Sequence, residues 1–173
     1  LEDGGACNLG SLNLSRFVDN GYEPQAKINW DQLAESTAIL IRFLDNVVTW
    51  NEDLNALEKQ RIAASETRRL GVGIMGIADM LNQLGIHYDS KKGIDIITKV
   101  MEFITNAAYQ ASASLAGEKG SSPIYSEEEY MNCPFIKEAL SEETQSYIRE
   151  NGIRNIAIMS IAPTGSISNV IKG

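Results

Sequence analysis

Two long segments of the chain repeat apolar residues at the spacing of an α-helix. Residues 30–50 carry two adjacent apolar rows, so this helix is expected to pack on more than one side. Residues 90–119 carry one stripe, with steps of three and four throughout. Asn29 is the predicted N-cap of the first helix, and Gln32 is placed to close a capping box. The rows comprise Leu33, Thr37, Leu40, Leu44 and Val47; Ala34, Ala38, Ile41 and Val48; and Ile94, Ile97, Met101, Ile104, Ala108, Ala111 and Leu115.

Shorter patterns predict further helices. One is predicted over 53–68 and another over 76–84, the second ending at Gly85 as its C-cap. The segment 126–151 is polar and acidic, and two short surface helices are predicted within it.

Two apolar runs, 69–75 and 155–161, are typical of buried strands, and each leads into a turn. Residues 1–22 hold short apolar pieces among glycines and are predicted to be extended or irregular. Strands of this kind pair in parallel sheets, and two of them cannot form one. The pattern therefore predicts a helix-rich α/β fold whose remaining strands lie outside this chain.

Composition places the chain among soluble globular proteins and narrows its partners. Its 173 residues, 43% apolar and 22% charged, suit one domain or a large part of one. The net charge of −8 and the pI of about 4.7 argue against binding to nucleic-acid polymers, which requires clustered Lys and Arg. No apolar run approaches the roughly 20 residues of a membrane span.

Cysteine content and the first residues give an expectation about compartment. The chain has two cysteines, Cys7 and Cys133, too few for a disulfide-stapled secreted domain. It begins Leu-Glu-Asp-Gly-Gly, without the basic start and apolar run of a signal peptide. We expect a cytoplasmic setting with both thiols free. The absence of an initiator Met also fits a chain cut from a longer polypeptide.

The segment 71–76 reads Gly-Val-Gly-Ile-Met-Gly and fits the G-x-G-x-x-G pattern of dinucleotide-binding proteins. In that interpretation a pyrophosphate binds at the start of the next helix, and Asp95 is roughly placed to bind a ribose. The polar residues 65–69 and the long helix from Ser90 argue against it, because the motif needs strands there. Close packing of a glycine-bearing strand against a helix is the favoured interpretation.

Residues 161–168, Ile-Ala-Pro-Thr-Gly-Ser-Ile-Ser, form a second candidate site. The predicted strand ends at Pro163, which has no amide hydrogen to donate, and Gly165 allows a sharp turn and the close approach of a ligand. The amide groups from Thr164 to Ile167 would point out from a helix start, where phosphates bind. The residues fit an ordinary capped turn equally well, so both interpretations stay open at this point.

Single residues carry weaker signals. A lone cysteine beside glycine, such as Cys7, is more often a small buried hydrophobe than a reactive group. Cys133 is expected in a loop without a partner. His87, the only histidine, has no second ligand near it in sequence, so no metal site is expected. The acidic run 127–129 is expected to be a solvated face.

Three segments together resemble one family. They are Ala-Cys-Asn-Leu-Gly-Ser-Leu-Asn-Leu at 6–14, Arg-Arg-Leu-Gly-Val-Gly-Ile-Met-Gly-Ile-Ala-Asp-Met-Leu at 68–81, and Ile-Ala-Pro-Thr-Gly-Ser-Ile-Ser at 161–168. In this order and at this spacing they are similar to landmarks of the catalytic subunit of ribonucleotide reductases. The residues of these motifs are most similar to those of the adenosylcobalamin-dependent class.

The resemblance implies a fold, a reaction and partners. The fold is a ten-stranded α/β barrel, of which residues 1–173 would be a helix-rich and incomplete part of the second half. In the intact enzyme a thiyl radical removes the 3′ hydrogen of a ribonucleotide, and the 2′ hydroxyl leaves as water, which supplies deoxyribonucleotides for DNA synthesis. The implied cofactor is adenosylcobalamin. The implied partners are the ribonucleotide, the rest of the reductase chain, a thioredoxin-like or dithiol reductant and, in some assemblies, a second copy; no membrane or nucleic-acid polymer is among them.

Site residues carry over by position. The resemblance makes Cys7 the second cysteine of the redox pair that reduces the substrate and becomes a disulfide in each turnover. It places the nucleotide phosphates on the turn formed by Ala162, Pro163, Thr164, Gly165, Ser166 and Ile167. The stretch 71–76 matches a structural strand-to-helix turn of the family.

The chain also departs from the family pattern. The radical-bearing cysteine of the family lies shortly before the position of Cys7, and the partner of Cys7 lies much earlier; neither is present. Cys133 does not match that partner by motif. We therefore expect no reductase activity from this chain alone. Two other hypotheses remain: a dinucleotide-dependent oxidoreductase using 71–76, and a non-enzymatic helical interaction module with an inert cysteine.

Overall fold

The computed structural model describes residues 5–171, which form eight α-helices and four strands. The strands are Asn8–Asn13 (β1), Val18–Asp19 (β2), Lys27–Ile28 (β3) and Leu70–Met75 (β4), and a 3-10 helix covers Leu14–Arg16. The helices are Trp30–Asn51 (α1), Glu58–Thr67 (α2), Ile77–Gln83 (α3), Lys91–Lys119 (α4), Glu127–Asn132 (α5), Pro134–Ala139 (α6), Glu142–Asn151 (α7) and Gly165–Val170 (α8).

A parallel sheet lies at the centre, with β4 in its middle. β1 pairs with β4 over its whole length, from Asn8 opposite Leu70 to Asn13 opposite Met75. Residues 156–160 lie along the other edge of β4, where a parallel bridge joins Val72 and Met159. The amide of Val72 donates to Ile158 O at 2.7 Å, and the amide of Ser160 donates to Val72 O at 2.9 Å. β2 and β3 form a separate antiparallel pair.

The first predicted strand is found: the run 69–75 forms β4. The second, the run 155–161, is not a regular strand, although residues 157–160 form backbone hydrogen bonds and one bridge with β4. The third partner, β1, comes from the segment predicted to be extended or irregular. Its sequence is rich in Gly, Asn and Ser, which have low strand propensity, and its pairing with β4 is distant in sequence. The described residues form an open sheet, which does not close into a barrel.

α1 and α4 cover one face of the sheet and build the core with it. Completely buried apolar residues from all three layers meet there, among them Ile41 of α1, Ile104 of α4, Val72 of β4 and Ile158. Both long helices were predicted from their apolar rows, and their bounds agree to within a residue or two. Within residues 5–171, no helix combines the length and apolar character needed to cross a membrane.

The start of α1 is capped, but not by the full capping box that was predicted. Asn29 Oδ1 accepts from the amide of Gln32 at 3.0 Å. The backbone amide of Asn29 donates to Phe17 O at 2.9 Å, so it is not available to the Gln32 side chain, as a full capping box requires. This contact ties the N-terminal segment to the first long helix.

Three predictions for the shorter helices change in detail. α1 continues to Asn51 and the chain then turns, so the helix predicted from residue 53 begins only at Glu58. The segment 126–151 holds three helices rather than two, because Pro134 at the first position of α6 starts a new helix. α3 ends at Gln83 with Leu84 as its C-cap, so Gly85, predicted as the C-cap, is the next residue, and its φ of 65° is typical of a glycine that ends a helix.

Candidate active site

The face of the sheet that turns away from the helices carries the candidate catalytic cysteine. The Cβ position of Gly10 in β1 faces the helices, because a Cβ atom built there would lie 2.8 Å from Leu40 Cδ1 of α1. Successive residues of a strand point to opposite sides, so Cys7 and Leu9 face away from α1. Both lie against Gly71 of β4. We call this side, with Cys7, Leu9, Gly71, Gly73 and Ser160, the open face.

Cys7 lies one residue before β1 and is half-buried on the open face. A Cβ atom on Gly71 would lie 3.0 Å from Cys7 Sγ and would overlap Leu9, so the glycine leaves room for the thiol. Burial raises the pKa of the Cys7 thiol above 9.0, and the positive charge of Arg69 opposes that shift. Burial at this position therefore favours the neutral thiol over the thiolate.

The segment 160–162, which follows the bridge at Met159, crosses the same open face. A Cβ atom on Gly73 would overlap the carbonyl oxygen of Ser160 and lie 3.7 Å from the amide nitrogen of Ala162. Ser160 Cβ lies 3.4 Å from the Cβ position of Gly71, which is the position that also contacts Cys7. Two glycines of one strand thus bring Cys7 and the segment leading to the predicted phosphate turn to the same face.

The turn itself differs from the prediction at one residue. Thr164 adopts the left-handed conformation, with φ 55° and ψ 9°, whereas Gly165 does not have a positive φ. Gly165 was predicted to allow a sharp turn, but the left-handed residue is Thr164, at the conformational cost that a non-glycine residue carries there. Its hydroxyl donates to Pro163 O at 2.8 Å.

The first amide groups of α8 point outward from this turn. Within residues 5–171, no side chain accepts a hydrogen bond at the N-terminus of α8. No atom lies within 4 Å of a Cβ position on Gly165, so the space above the turn is open. Pro163, Gly165, Ser166 and Ile167 are exposed, and Ala162 and Thr164 are half-buried. The amides of 165–167 can therefore donate hydrogen bonds to an anionic group from outside the chain.

Gly73→Ala is expected to destabilise the chain by about 1–3 kcal/mol, because the added methyl group meets backbone that cannot rotate away. Urea unfolding followed by circular dichroism measures this change. Gly117→Ala, at an exposed position of α4, is the matched control. Its Cβ would meet only the end of the Asn151 side chain, at 3.2 Å, which can move, so the change is expected to be neutral or slightly stabilising because alanine favours helix. Equal unfolding midpoints for Gly73→Ala and wild type would contradict the close contact of Gly73 with Ser160.

Sequence reasoning missed a buried polar cluster beside the sheet. Asp45 of α1 is completely buried. Its Oδ1 accepts hydrogen bonds from Arg68 Nε at 2.9 Å and from Asn155 Nδ2 at 3.1 Å. Lys119 Nζ lies 3.3 Å from its other oxygen. Burial raises the pKa of Asp45, but Arg68 and the other donors lower it by more, so the net pKa lies below 3.8.

Asn155 connects this cluster to the two strands of the site. Its Nδ2 also donates to Arg68 O at 2.9 Å, two residues before β4, and its Oδ1 accepts from Ser112 Oγ of α4 at 2.8 Å. Arg68 itself has φ 47°, a left-handed conformation held by these contacts. The signal in the sequence was Asp45, an acid in register with the apolar row of Ile41 and Val48. The cluster fixes where β4 and the segment 156–160 begin.

The glycines of 71–76 do not form a dinucleotide site. Gly71 and Gly73 lie inside β4, where protein atoms occupy the space in front of them, whereas the motif requires a turn after the strand. A Cβ atom on Gly76 would lie 2.5 Å from Asn13 Oδ1 and 3.3 Å from the amide of Ser15. Close packing, the favoured interpretation, accounts for all three glycines, although their neighbours are mostly other strands rather than a helix.

The remaining candidates lie away from the open face. His87 and Asp89 form an exposed pair at 2.6 Å. Cys133 is exposed, between α5 and α6, and lines a cavity with Tyr109 and Phe135. Within residues 5–171, no three His, Cys, Asp or Glu side chains are grouped so that they could hold a metal ion.

Comparison with known proteins decides the family. The model of the ribonucleotide reductase barrel domain matches residues 2–173. The chain belongs to the ribonucleotide reductase family. As a member of that family it is related to enzymes, and the match extends over nearly the whole chain.

Curated relatives agree with this placement and with the resemblance to the vitamin B12-dependent class. The chain is 38% identical over 168 residues to the vitamin B12-dependent ribonucleoside-diphosphate reductase of Thermoplasma acidophilum, covering 97% of this chain and 19% of that protein. It is 34% identical over 165 residues to the protein of the same name from Mycobacterium tuberculosis H37Rv, covering 94% of this chain and 20% of that protein. The ribonucleoside-diphosphate reductase subunit alpha of Chlamydia pneumoniae is 32% identical over 186 residues, covering 95% and 17%. The chain thus spans about a fifth of the length of the curated relatives it matches.

Proposed function

We propose that this chain is part of a vitamin B12-dependent ribonucleoside-diphosphate reductase and supplies one redox cysteine and the phosphate-binding turn of its active site. One observation carries the proposal: Cys7 and the segment 160–162 lie over the same glycine-lined face of β4, in a chain of this family. Residues 1–173 would be an incomplete part of the second half of a ten-stranded barrel. In the complete enzyme, other strands would extend the sheet and cover the open face.

The proposed chemistry for Cys7 is the donation of one proton and one electron to the ribose. Reduction of a ribonucleotide to a 2′-deoxyribonucleotide consumes two thiols, forms one disulfide and releases the 2′ oxygen as water. Cys7 supplies one of the two thiols, and a cysteine outside this chain supplies the other. A thioredoxin-like protein or a small dithiol then reduces the disulfide, so Cys7 must be reachable, as its half-buried position allows.

The proposed task of the turn is to bind the phosphates. The amides of Gly165, Ser166 and Ile167 face outward at a helix start, where partial positive charge favours an anion. A nucleoside diphosphate is the proposed substrate, in line with the names of the relatives. The left-handed Thr164 sets the direction of these amides, and Ala162 and Pro163 lead the chain to them.

Adenosylcobalamin, when bound, supplies the radical that starts the reaction. The described residues of the open face, a thiol and small or hydroxyl-bearing side chains, are not the donor set of a cobalt or corrin site. We therefore assign none of them to the cofactor and derive no step through it. Under this proposal the complete enzyme acts in the cytoplasm and can form a homodimer.

A graft tests the proposal. The matching segment of the Thermoplasma acidophilum relative is replaced by this chain, and the chimeric reductase is assayed with a ribonucleoside diphosphate, adenosylcobalamin and dithiothreitol. Turnover is expected for the chimeric reductase and none for the isolated chain, which lacks the radical cysteine. The control graft carries the corresponding segment of the Mycobacterium tuberculosis relative, which is similarly divergent.

The control makes the outcome decisive. The proposal is overturned if the control graft is active while the graft of this chain is inactive and also fails to bind the nucleotide. Turnover by the isolated chain would overturn the expectation that it is incomplete. If the control graft is inactive, the host is changed until it is active before this chain is judged.

A further inference from the structure

Ser160 presents a hydroxyl group on the open face that has no hydrogen-bond partner among the residues the structure describes. Its amide donates to Val72 O at 2.9 Å, so its backbone is fixed in the sheet. Its side chain is half-buried and stands on the same side as Cys7. Among residues 5–171, no group donates to or accepts from Ser160 Oγ, whereas the buried hydroxyls of Ser112, Ser122 and Thr144 are all hydrogen-bonded.

The position of this hydroxyl lies between the two parts of the proposed site. Ser160 Cβ lies 3.4 Å from the Cβ position of Gly71, and Cys7 Sγ lies 3.0 Å from that same position. In the other direction, Ser160 precedes Pro163 by three residues of extended chain, which span roughly 10 Å. A nucleotide with its phosphates on the turn and its sugar over Cys7 must therefore pass Ser160.

We propose that Ser160 is a substrate-binding residue of this site and that its hydroxyl forms a hydrogen bond with a hydroxyl group of the ribose. A serine hydroxyl both donates and accepts, as do the hydroxyls of a ribose. The backbone of Ser160 is held in the sheet on one side and against Gly73 on the other, so the hydroxyl is presented with little freedom. The assignment rests on the proposed function, because it needs a nucleotide on the open face.

The test compares two variants of equal size in the chimeric reductase. Ser160→Thr keeps the hydroxyl, and Ser160→Val removes it, while both side chains suit an extended segment. We expect Ser160→Val to weaken nucleoside diphosphate binding about tenfold and raise KM by a similar factor, since one hydrogen bond of this kind is lost. Ser160→Thr is expected to stay within about threefold of wild type by the same scale. Ser146→Ala, on the exposed face of α7, serves as a distant control.

Binding of inorganic pyrophosphate separates the possible outcomes. Pyrophosphate probes only the turn, so its affinity is expected to be equal in wild type and both variants. If Thr and Val variants bind the nucleoside diphosphate equally, the Ser160 assignment is wrong while the proposed function stands. If Ser160→Val instead shifts the pH profile of Cys7 alkylation and leaves KM unchanged, Ser160 acts on the thiol and not on the ribose. If wild type binds neither nucleoside diphosphate nor pyrophosphate, the proposed function itself fails.

Discussion

Asp45→Ala is expected to lower the free energy of unfolding by about 3–5 kcal/mol, because it leaves the buried guanidinium of Arg68 without its main partner. The Arg68 side chain is 3% exposed and that of Asp45 is 0% exposed, with 2.9 Å between Arg68 Nη2 and Asp45 Oδ1. Glu52, the second carboxylate on Arg68, is partly exposed and replaces only part of the lost interaction. Urea unfolding of the chain measures the change.

The exposed pair of Arg42 and Glu118 provides the matched control. Its 2.6 Å contact also joins α1 to α4, but both side chains are about half exposed, so solvent screens the interaction. Glu118→Gln is therefore expected to leave the unfolding midpoint unchanged within error. If Asp45→Ala and Glu118→Gln have the same small effect, the buried cluster does not stabilise the fold.

The free energy of unfolding measured over a pH series tests the same interaction, because the direction of its change with pH follows from the pKa shift of Asp45. The native pKa of Asp45 lies below the ordinary value, so Asp45 stabilises the fold above its unfolded pKa. That stabilisation is lost as the pH falls from about 4 through the native pKa. Asp45→Asn is expected to flatten this part of the stability curve, since the amide does not titrate there.

The elements that sequence reasoning predicted well are those specified by nearby residues. α1 and α4 follow from apolar rows with steps of three and four, and their starts follow from Asn29 and Ser90, whose side chains accept from amides three residues on. The end of α3 just before Gly85 follows from the left-handed conformation that glycine adopts readily. None of these features depends on distant parts of the chain.

The features that were missed depend on contacts between distant residues. β1 has a weak strand sequence and forms because β4, some sixty residues later, pairs with it. Asn155 and Asp45 are 110 positions apart, and only folding brings them together. An acid within an apolar row of α1 indicates a buried partner but does not identify it.

The candidate site could be predicted in part. Motif resemblance pointed to Cys7 and to the turn 162–167, and their roles stay predictions until tested. The residues that connect them, Gly71, Gly73 and Ser160, have no signature as single positions, because their importance lies in which face of the sheet they share. Likewise, the left-handed residue of the turn is Thr164 rather than the neighbouring glycine, although glycine adopts this conformation most readily.

Cys7→Ser in the chimeric reductase is expected to reduce turnover about a thousandfold or more, because a serine hydroxyl cannot form the disulfide that each cycle requires. The substitution changes one atom at a half-buried position, so the fold and nucleotide affinity are expected to be kept. Measurements of deoxyribonucleotide formation with dithiothreitol and of nucleoside diphosphate binding together separate lost chemistry from lost structure.

Cys133→Ser is the matched control, since Cys133 is exposed between α5 and α6 and is expected to be dispensable. A single turnover without added reductant gives a direct readout: the oxidised protein should have lost alkylation at Cys7 and kept it at Cys133. Turnover of Cys7→Ser at the wild-type rate would show that the electrons come from elsewhere. Loss of alkylation at Cys133 alone would assign the redox role to Cys133. Either of these two results would contradict a reducing role for Cys7 on the open face.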